Sequence, residues 1–127
     1  TAEPKTQFFP KVLQRTLSFY LAGWTPVSQD SHNLLFAVIS TPGEGAQGQF
    51  NGGSYSNAKV DELTRKIGAE SDAAKRLAMI TEAFKIHQDD IGHIPLHQQP
   101  ITWGMRKSVE TVQLPDDFLY LRWVTVK

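Results

Sequence analysis

Apolar and polar side chains alternate from Thr16 to Trp24, and this pattern predicts a β-strand. Leu17, Phe19 and Leu21 would lie on one face of it, because successive side chains of a strand point to opposite sides. The strand is expected to end at the Gly23–Trp24 pair, where a polar link begins.

Helical patterns follow this link. The apolar segment from Asn33 to Ile39 is expected to form a short buried helix, with Ser31 or Asp30 as its N-cap. Another predicted helix begins after Asn57, a residue type that caps helix N-termini, and its apolar residues recur at helical spacing. Those residues are Val60, Leu63 and Ile67.

A longer amphipathic helix is predicted to begin near Ser71 or Asp72 and to end at Gly92. Its apolar residues fall on one stripe while charged residues fall on the other faces, and Phe84 lies at the centre of that stripe. The predicted stripe comprises Leu77, Ile80, Phe84, His87 and Ile91. We expect it to pack on a sheet or on the preceding helix.

Glycine and proline divide the remaining chain into a loop and short strands. Residues 41–56 contain Pro42 and five glycines, so they are predicted to form a long irregular loop. Val109 to Leu114 and Phe118 to Val126 are predicted short strands, separated by a turn at Pro115–Asp117. The change from strand-like to helical spacing along the chain predicts a mixed α/β fold.

The charge balance argues against nucleic acid as a partner. Thirteen basic residues match thirteen acidic ones, so the chain has no net field with which to hold a phosphate backbone or an anionic membrane. The longest apolar run, Leu34 to Ile39, is far shorter than the roughly 20 residues that span a bilayer, and no membrane span is predicted. The lack of cysteine excludes a disulfide framework and any thiolate metal site.

No group of residues in the sequence supports catalysis, and no cofactor is expected. His87, His93 and His97 lie close together in sequence, but a structural or surface role is favoured over a metal site. The serine that follows the paired glycines lacks the closing glycine of a nucleophile elbow. Asp89 and Asp90 are adjacent and point to different sides of a helix, so they form no acid–base pair. The chain is therefore predicted not to be an enzyme.

An ordered string of short motifs covers nearly the whole chain, from about Phe8 to its end. It begins with a strand that ends Phe-Tyr-Leu-Ala-Gly-Trp at residue 24 and continues through the apolar helix and the glycine-rich loop. It then has Tyr-Ser-Asn-x-x-Val-Asp-x-Leu from residue 55, a helix that carries Arg76, and Ile-Pro-Leu-His at residues 94–97. Together these motifs resemble the C-terminal part of the extracytoplasmic solute-binding proteins that serve peptide-type ABC transporters, the dipeptide, oligopeptide and nickel group.

The resemblance implies that the chain is the C-terminal piece of a longer protein and forms part of one lobe of a two-lobed clamp. Residues 1–127 would then be one fragment, with about 1–96 in the second lobe and about 97–127 as closing strands that return toward the first. Such clamps close on their ligand by hinge motion. The resemblance also implies a periplasmic or other extracytoplasmic location. The implied partners are a peptide or related small solute and the permease subunits of an ABC transporter.

A ligand-binding segment beside the Gly-Trp pair is also implied by the resemblance. Peptide-binding members offer backbone groups there to an extended ligand, and the matching residues are Gly23 and Thr25, with Trp24 between them. A few positions on, such members have an aspartate that pairs with the amino terminus of the ligand, where this sequence has Val27. Asp30 is the nearest carboxylate. The implied ligand-binding residues are therefore Gly23, Trp24, Thr25, Val27 and Asp30.

A second class of function stays open on the residues alone. A small hydrolase or interaction domain unrelated to transport could share the same pattern of helices. The parent reading frame and its neighbouring genes separate the two hypotheses, because a secretory signal and adjacent permease genes are expected only for transport.

Overall fold

The computed structural model describes residues 3–127, which contain four α-helices and a small two-stranded antiparallel sheet. The predicted mixture of helices and strands is therefore confirmed. The chain divides into two compact units, one that ends at Ile94 and one from Pro95 to Lys127. No helix within residues 3–127 has the length and apolar character needed to cross a bilayer.

The first helix, α1 (Lys5–Leu13), was not among the predicted elements, and it contains Pro10. Proline inside a helix removes one backbone donor and commonly ends or kinks the helix. Val12 is the buried residue of α1, and it packs against the backbone of Gly52. A Cβ atom at Gly52 would lie 2.5 Å from Val12 Cγ1, so this approach requires glycine. Tertiary packing therefore stabilises a helix that local propensity disfavours.

The predicted short buried helix is confirmed as α2 (Ser31–Leu34), which continues into a π-helical turn (Leu35–Ile39). Asp30 is its N-cap, and the carboxylate accepts the His32 backbone N–H at 2.8 Å. Ser40 ends the turn, since its backbone N–H and its hydroxyl both donate to Leu35 O, at 2.8 and 2.9 Å. The apolar run is thereby held inside the first unit.

The Asn57 cap is confirmed at the start of α3 (Ala58–Ala69). Its Oδ1 accepts the backbone N–H groups of Lys59 and Val60, at 2.9 and 3.3 Å. These bonds satisfy donors that have no partner within the helix, which is why asparagine favours this position. The predicted apolar residues of α3 are all buried: Val60, Leu63 and Ile67.

The longest helix, α4 (Ala73–Asp89), begins after the predicted cap Asp72. The predicted stripe, however, is wrong in part. Leu77 is 64% exposed, and Ile91 lies beyond the end of the helix. The buried face is centred on Ala83, because a small side chain lets α3 pack closely against α4. The core of the first unit comprises Leu35, Ile39, Val60, Leu63, Ile67 and Ala83.

The predicted strand from Thr16 to Trp24 is wrong. The segment is irregular in the structure, and no strand pairs with it among residues 3–127. Phe19 and Leu21 are 78% and 62% exposed, so the alternating pattern does not correspond to one buried face. A strand requires a neighbour for its backbone hydrogen bonds, and alternation in the sequence does not supply that neighbour.

The second unit contains the two strands β1 (Val109–Glu110) and β2 (Thr125–Val126), which pair antiparallel. Both lie within the predicted strands but are much shorter. A 3₁₀ turn (Leu121–Trp123) interrupts the second predicted strand and leaves only its end to pair. The predicted turn is confirmed, since the Asp117 backbone N–H donates to Leu114 O at 3.2 Å.

Candidate functional site

The backbone of residues 17–25 is free to pair with another chain segment. None of its N–H or C=O groups takes part in a hydrogen bond within the part of the chain that the structure describes. Most of these residues are exposed, so water can satisfy their polar groups. Such an unpaired segment can bind an extended peptide by strand addition.

The side chain of Trp24 is held in place by two contacts. Its indole N–H donates to Asn33 Oδ1 at 2.9 Å, and its ring lies 4.9 Å from that of Phe50, centroid to centroid, at 51°. Phe50 is held in turn by its backbone N–H, which donates to Ala37 O at 2.9 Å. Trp24 remains 37% exposed. A rigid, partly exposed aromatic ring thus lies beside free backbone groups.

Gly23 and Thr25 flank the indole and are both exposed. Residues two apart in an extended strand direct their N–H and C=O groups to the same side, so Gly23 and Thr25 would share one edge if a bound peptide drew this segment into strand geometry. A Cβ atom at Gly23 would meet nothing within 4 Å. The space that a side chain at Gly23 would occupy is therefore open.

Val27 and Asp30 lie in different surroundings. Val27 is 68% exposed in a turn that the Gln29 N–H closes by donating to Pro26 O at 2.9 Å. The Asp30 carboxylate, in contrast, already binds the His32 N–H and the Arg76 guanidinium, whose Nη2 lies 2.9 Å from Oδ1. The hydrogen bond with Arg76, and to a smaller extent that with the His32 N–H, hold the pKa of Asp30 below its ordinary value of 3.8. Asp30 therefore links helices rather than presenting a free carboxylate.

Replacing Asp30 separates its two structural interactions. Asp30→Ala removes both the cap and the ion pair, and we expect a loss of about 1–2 kcal/mol in the free energy of unfolding. Asp30→Ser keeps a capping oxygen and should lose less. Because the pKa is lowered in the folded state, this contribution is present above the ordinary pKa and is lost as the pH falls through the lowered one. Urea titrations of both variants measure the difference, and equal losses would contradict the cap.

A second polar cluster joins the loop, α3 and the end of α4, and the sequence did not indicate it. Tyr55 Oη and Asn57 Nδ2 both donate to Asp90 Oδ2, each at 2.7 Å. These two donors keep the pKa of Asp90 below its ordinary value. Burial, and then the hydrogen bond to Asp90 together with its negative charge, raise the pKa of Tyr55, so the phenol stays protonated. Asn57 thus caps α3 and fixes the end of α4.

Two imidazoles lie beside this cluster. His87 Nε2 and His93 Nδ1 are 2.9 Å apart. The rings of Tyr55 and His87 pack edge to face, with their centroids 5.0 Å apart. Burial lowers the pKa of His93. The pKa of His87 is also lowered, first by burial and then by the nearby His93. No set of three or more His, Cys, Asp or Glu residues within residues 3–127 is arranged to hold a metal ion.

No family model matches the chain, and neither a curated protein nor a solved structure matches it. Function is therefore inferred from the residues and their geometry.

Proposed function

We propose that this chain is part of the substrate-binding component of a peptide-type ABC importer. It contributes one wall of a cleft in which a peptide or related small solute is captured between two lobes. The observation that carries the proposal is the free backbone edge at Gly23 and Thr25, next to the anchored Trp24. The permease subunits of the importer are the protein partners.

The free edge supports a ligand with an extended backbone. A peptide that pairs with Gly23 and Thr25 gains main-chain hydrogen bonds that do not depend on its side chains, and a broad peptide range follows. Trp24 adds a flat apolar surface whose orientation Asn33 and Phe50 fix before the ligand arrives. Pre-ordering of this ring reduces the entropy that binding must overcome.

The charges near the edge favour some peptides over others. The nearest carboxylate, Asp30, is engaged by Arg76, and the exposed side chain at position 27 is apolar. A free ammonium group at the start of a ligand would find no charge-assisted acceptor there. We therefore propose that blocked or modified peptides, of which a glutathione-like molecule is one kind, are bound in preference to ordinary dipeptides and tripeptides.

The importer proposal is tested on the two-lobed protein that would contain this chain. Small molecules released from it by denaturation are identified by mass spectrometry, and their affinities are then measured by calorimetry. We expect a peptide-like or related small solute to be released. Release of no such solute, together with no binding from a peptide panel, would refute the proposal.

Backbone pairing is tested with proline, which lacks the N–H group. Gly23→Pro removes a donor from the proposed ligand edge, whereas Ala22→Pro removes one from the opposite edge. We expect Gly23→Pro to weaken binding about tenfold, the value of roughly one lost hydrogen bond, and Ala22→Pro to change it much less. Circular dichroism checks that both variants fold. Equal effects of the two prolines would exclude strand addition at this edge.

The chain of 127 residues by itself is expected to bind small solutes weakly. A single wall leaves a small ligand half solvated, and its contacts do not offset the cost of immobilising it. Calorimetry of the isolated chain against unmodified dipeptides measures this. Submicromolar binding of such a dipeptide would contradict both the two-wall cleft and the role given to Val27.

A further inference from the structure

The turn after α4 holds a residue in an unfavourable backbone conformation. The Gly92 N–H donates to His87 O at 3.1 Å and the Ile91 N–H to Gln88 O at 3.0 Å, which is the hydrogen-bond pattern of a Schellman motif. The position with positive φ in that motif is usually glycine, but here it is Ile91, with φ of 53°. A β-branched residue there costs on the order of 1–3 kcal/mol.

Interactions around the turn must therefore hold it closed. The pair His87–His93 spans it, because His87 lies in the last turn of α4 and His93 follows Gly92. A Cβ atom at Gly92 would lie 2.8 Å from His87 Nε2 and 2.7 Å from Tyr55 Cδ2. Glycine thus permits the rings to close over the turn, and the imidazole contact fastens the segment after Ile91 to α4.

We propose that the His87–His93 pair is an acid-sensitive latch that keeps the strained turn at Ile91 closed at neutral pH and releases it in acid. When both imidazoles are neutral, one ring nitrogen donates its N–H to the lone pair of the other. A single added proton preserves the bond, because one lone pair remains to accept. A second proton leaves two N–H groups facing each other at 2.9 Å, so the contact breaks.

The surroundings set the pH of release. Tyr55, which packs against His87, stays neutral, and Asp61 adds negative charge near Tyr55. The carboxylate of Asp90 favours a charged His87. Burial outweighs these charges, and it keeps the pKa of both histidines below the ordinary value of 6.5. The folded state then binds fewer protons than the unfolded state as the pH falls below that value, so the closed turn loses stability in this range. Release is complete once the second proton binds, at a pH that belongs to the pair rather than to either ring.

Amide hydrogen exchange followed by NMR on the 127-residue chain tests the latch. We expect the protection factors of the Ile91 and Gly92 amides to fall about tenfold between roughly pH 7.5 and roughly pH 5, relative to buried amides of α3. His93→Gln keeps a polar side chain of similar reach without a titrating group at this position. In this variant the protection factors of the Ile91 and Gly92 amides should not fall between these two pH values.

Ile91→Gly is the matched control for strain. It keeps both histidines and removes the unfavourable conformation, so the turn should stay protected in acid although the imidazoles still titrate. Imidazole ¹H–¹⁵N spectra verify that titration in each variant. Wild-type protection that is independent of pH would overturn the latch. An equal acid-induced fall in His93→Gln, or in Ile91→Gly, would also overturn it.

Discussion

Gly48→Ala is expected to lower the free energy of unfolding by about 3 kcal/mol. Gly48 has φ of 60°, a left-handed conformation that costs an L-residue about 1–2 kcal/mol. The new Cβ atom would also lie 2.7 Å from Pro42 N and 2.8 Å from Pro42 Cα, and closer still to Ser40 O. These are backbone atoms that a side-chain rotation cannot move, so overpacking adds a further 1–3 kcal/mol or so.

Gly45 is the matched control for the same loop. Its φ of 65° is nearly that of Gly48, but a Cβ atom there would meet nothing within 4 Å. Gly45→Ala should therefore cost only the conformational part, about 1–2 kcal/mol. Urea unfolding followed by circular dichroism gives both values. If the two alanines destabilise the protein equally, the close approach of Gly48 to residues 40–42 is wrong.

Features governed by neighbours in sequence could be predicted. The caps of α3 and α4 are Asn57 and Asp72, and each accepts N–H groups two and three residues ahead. Such bonds need only one polar side chain and a following helical pattern, so the sequence contains all of the information. The same holds for the turn closed at Asp117.

Features that depend on distant partners could not be predicted. The alternation of residues 16–24 is compatible with a strand, but pairing requires a second segment that the pattern does not identify. The stripe of α4 was misplaced for a related reason. A pattern of large apolar residues gives weight to Leu77, whereas burial follows the close contact with α3 at the small Ala83.

In the candidate site, too, features set by neighbours in sequence differ from those set by distant partners. A resemblance suggested the Gly-Trp segment as a binding site, which stays a prediction, and the sequence did not indicate the partners that fix the indole, Asn33 and Phe50. It also did not pair His87 with His93. α4 was expected to end at Gly92 but ends at Asp89, and the left-handed residue after it is Ile91, which intrinsic preference would exclude from that conformation. A residue that contradicts its local preference is evident only once the contacts around it are known.

Ile67→Ala is expected to have an effect as large as that of Gly48→Ala. Ile67 is fully buried in α3, where it belongs to the core formed with the π-helical turn and α4. Its removal loses the transfer free energy of three carbon atoms and leaves a cavity, and such substitutions cost about 2–5 kcal/mol. Close-packed helices relax only partly into such a space, and we expect a loss of about 3 kcal/mol.

Leu77→Ala in α4 is the control, because it removes a similar volume from a side chain that is 64% exposed. It should change the free energy of unfolding by less than about 0.5 kcal/mol, as is usual at the surface. Thermal and urea unfolding measure both losses, and the Leu77→Ala value tests whether Leu77 lies on a buried face of α4. A large loss for Leu77→Ala would restore the stripe expected from the sequence, with Leu77 inside it. A large loss for Ile67→Ala with almost none for Leu77→Ala is the result expected if Ile67 is buried in the core and Leu77 faces solvent.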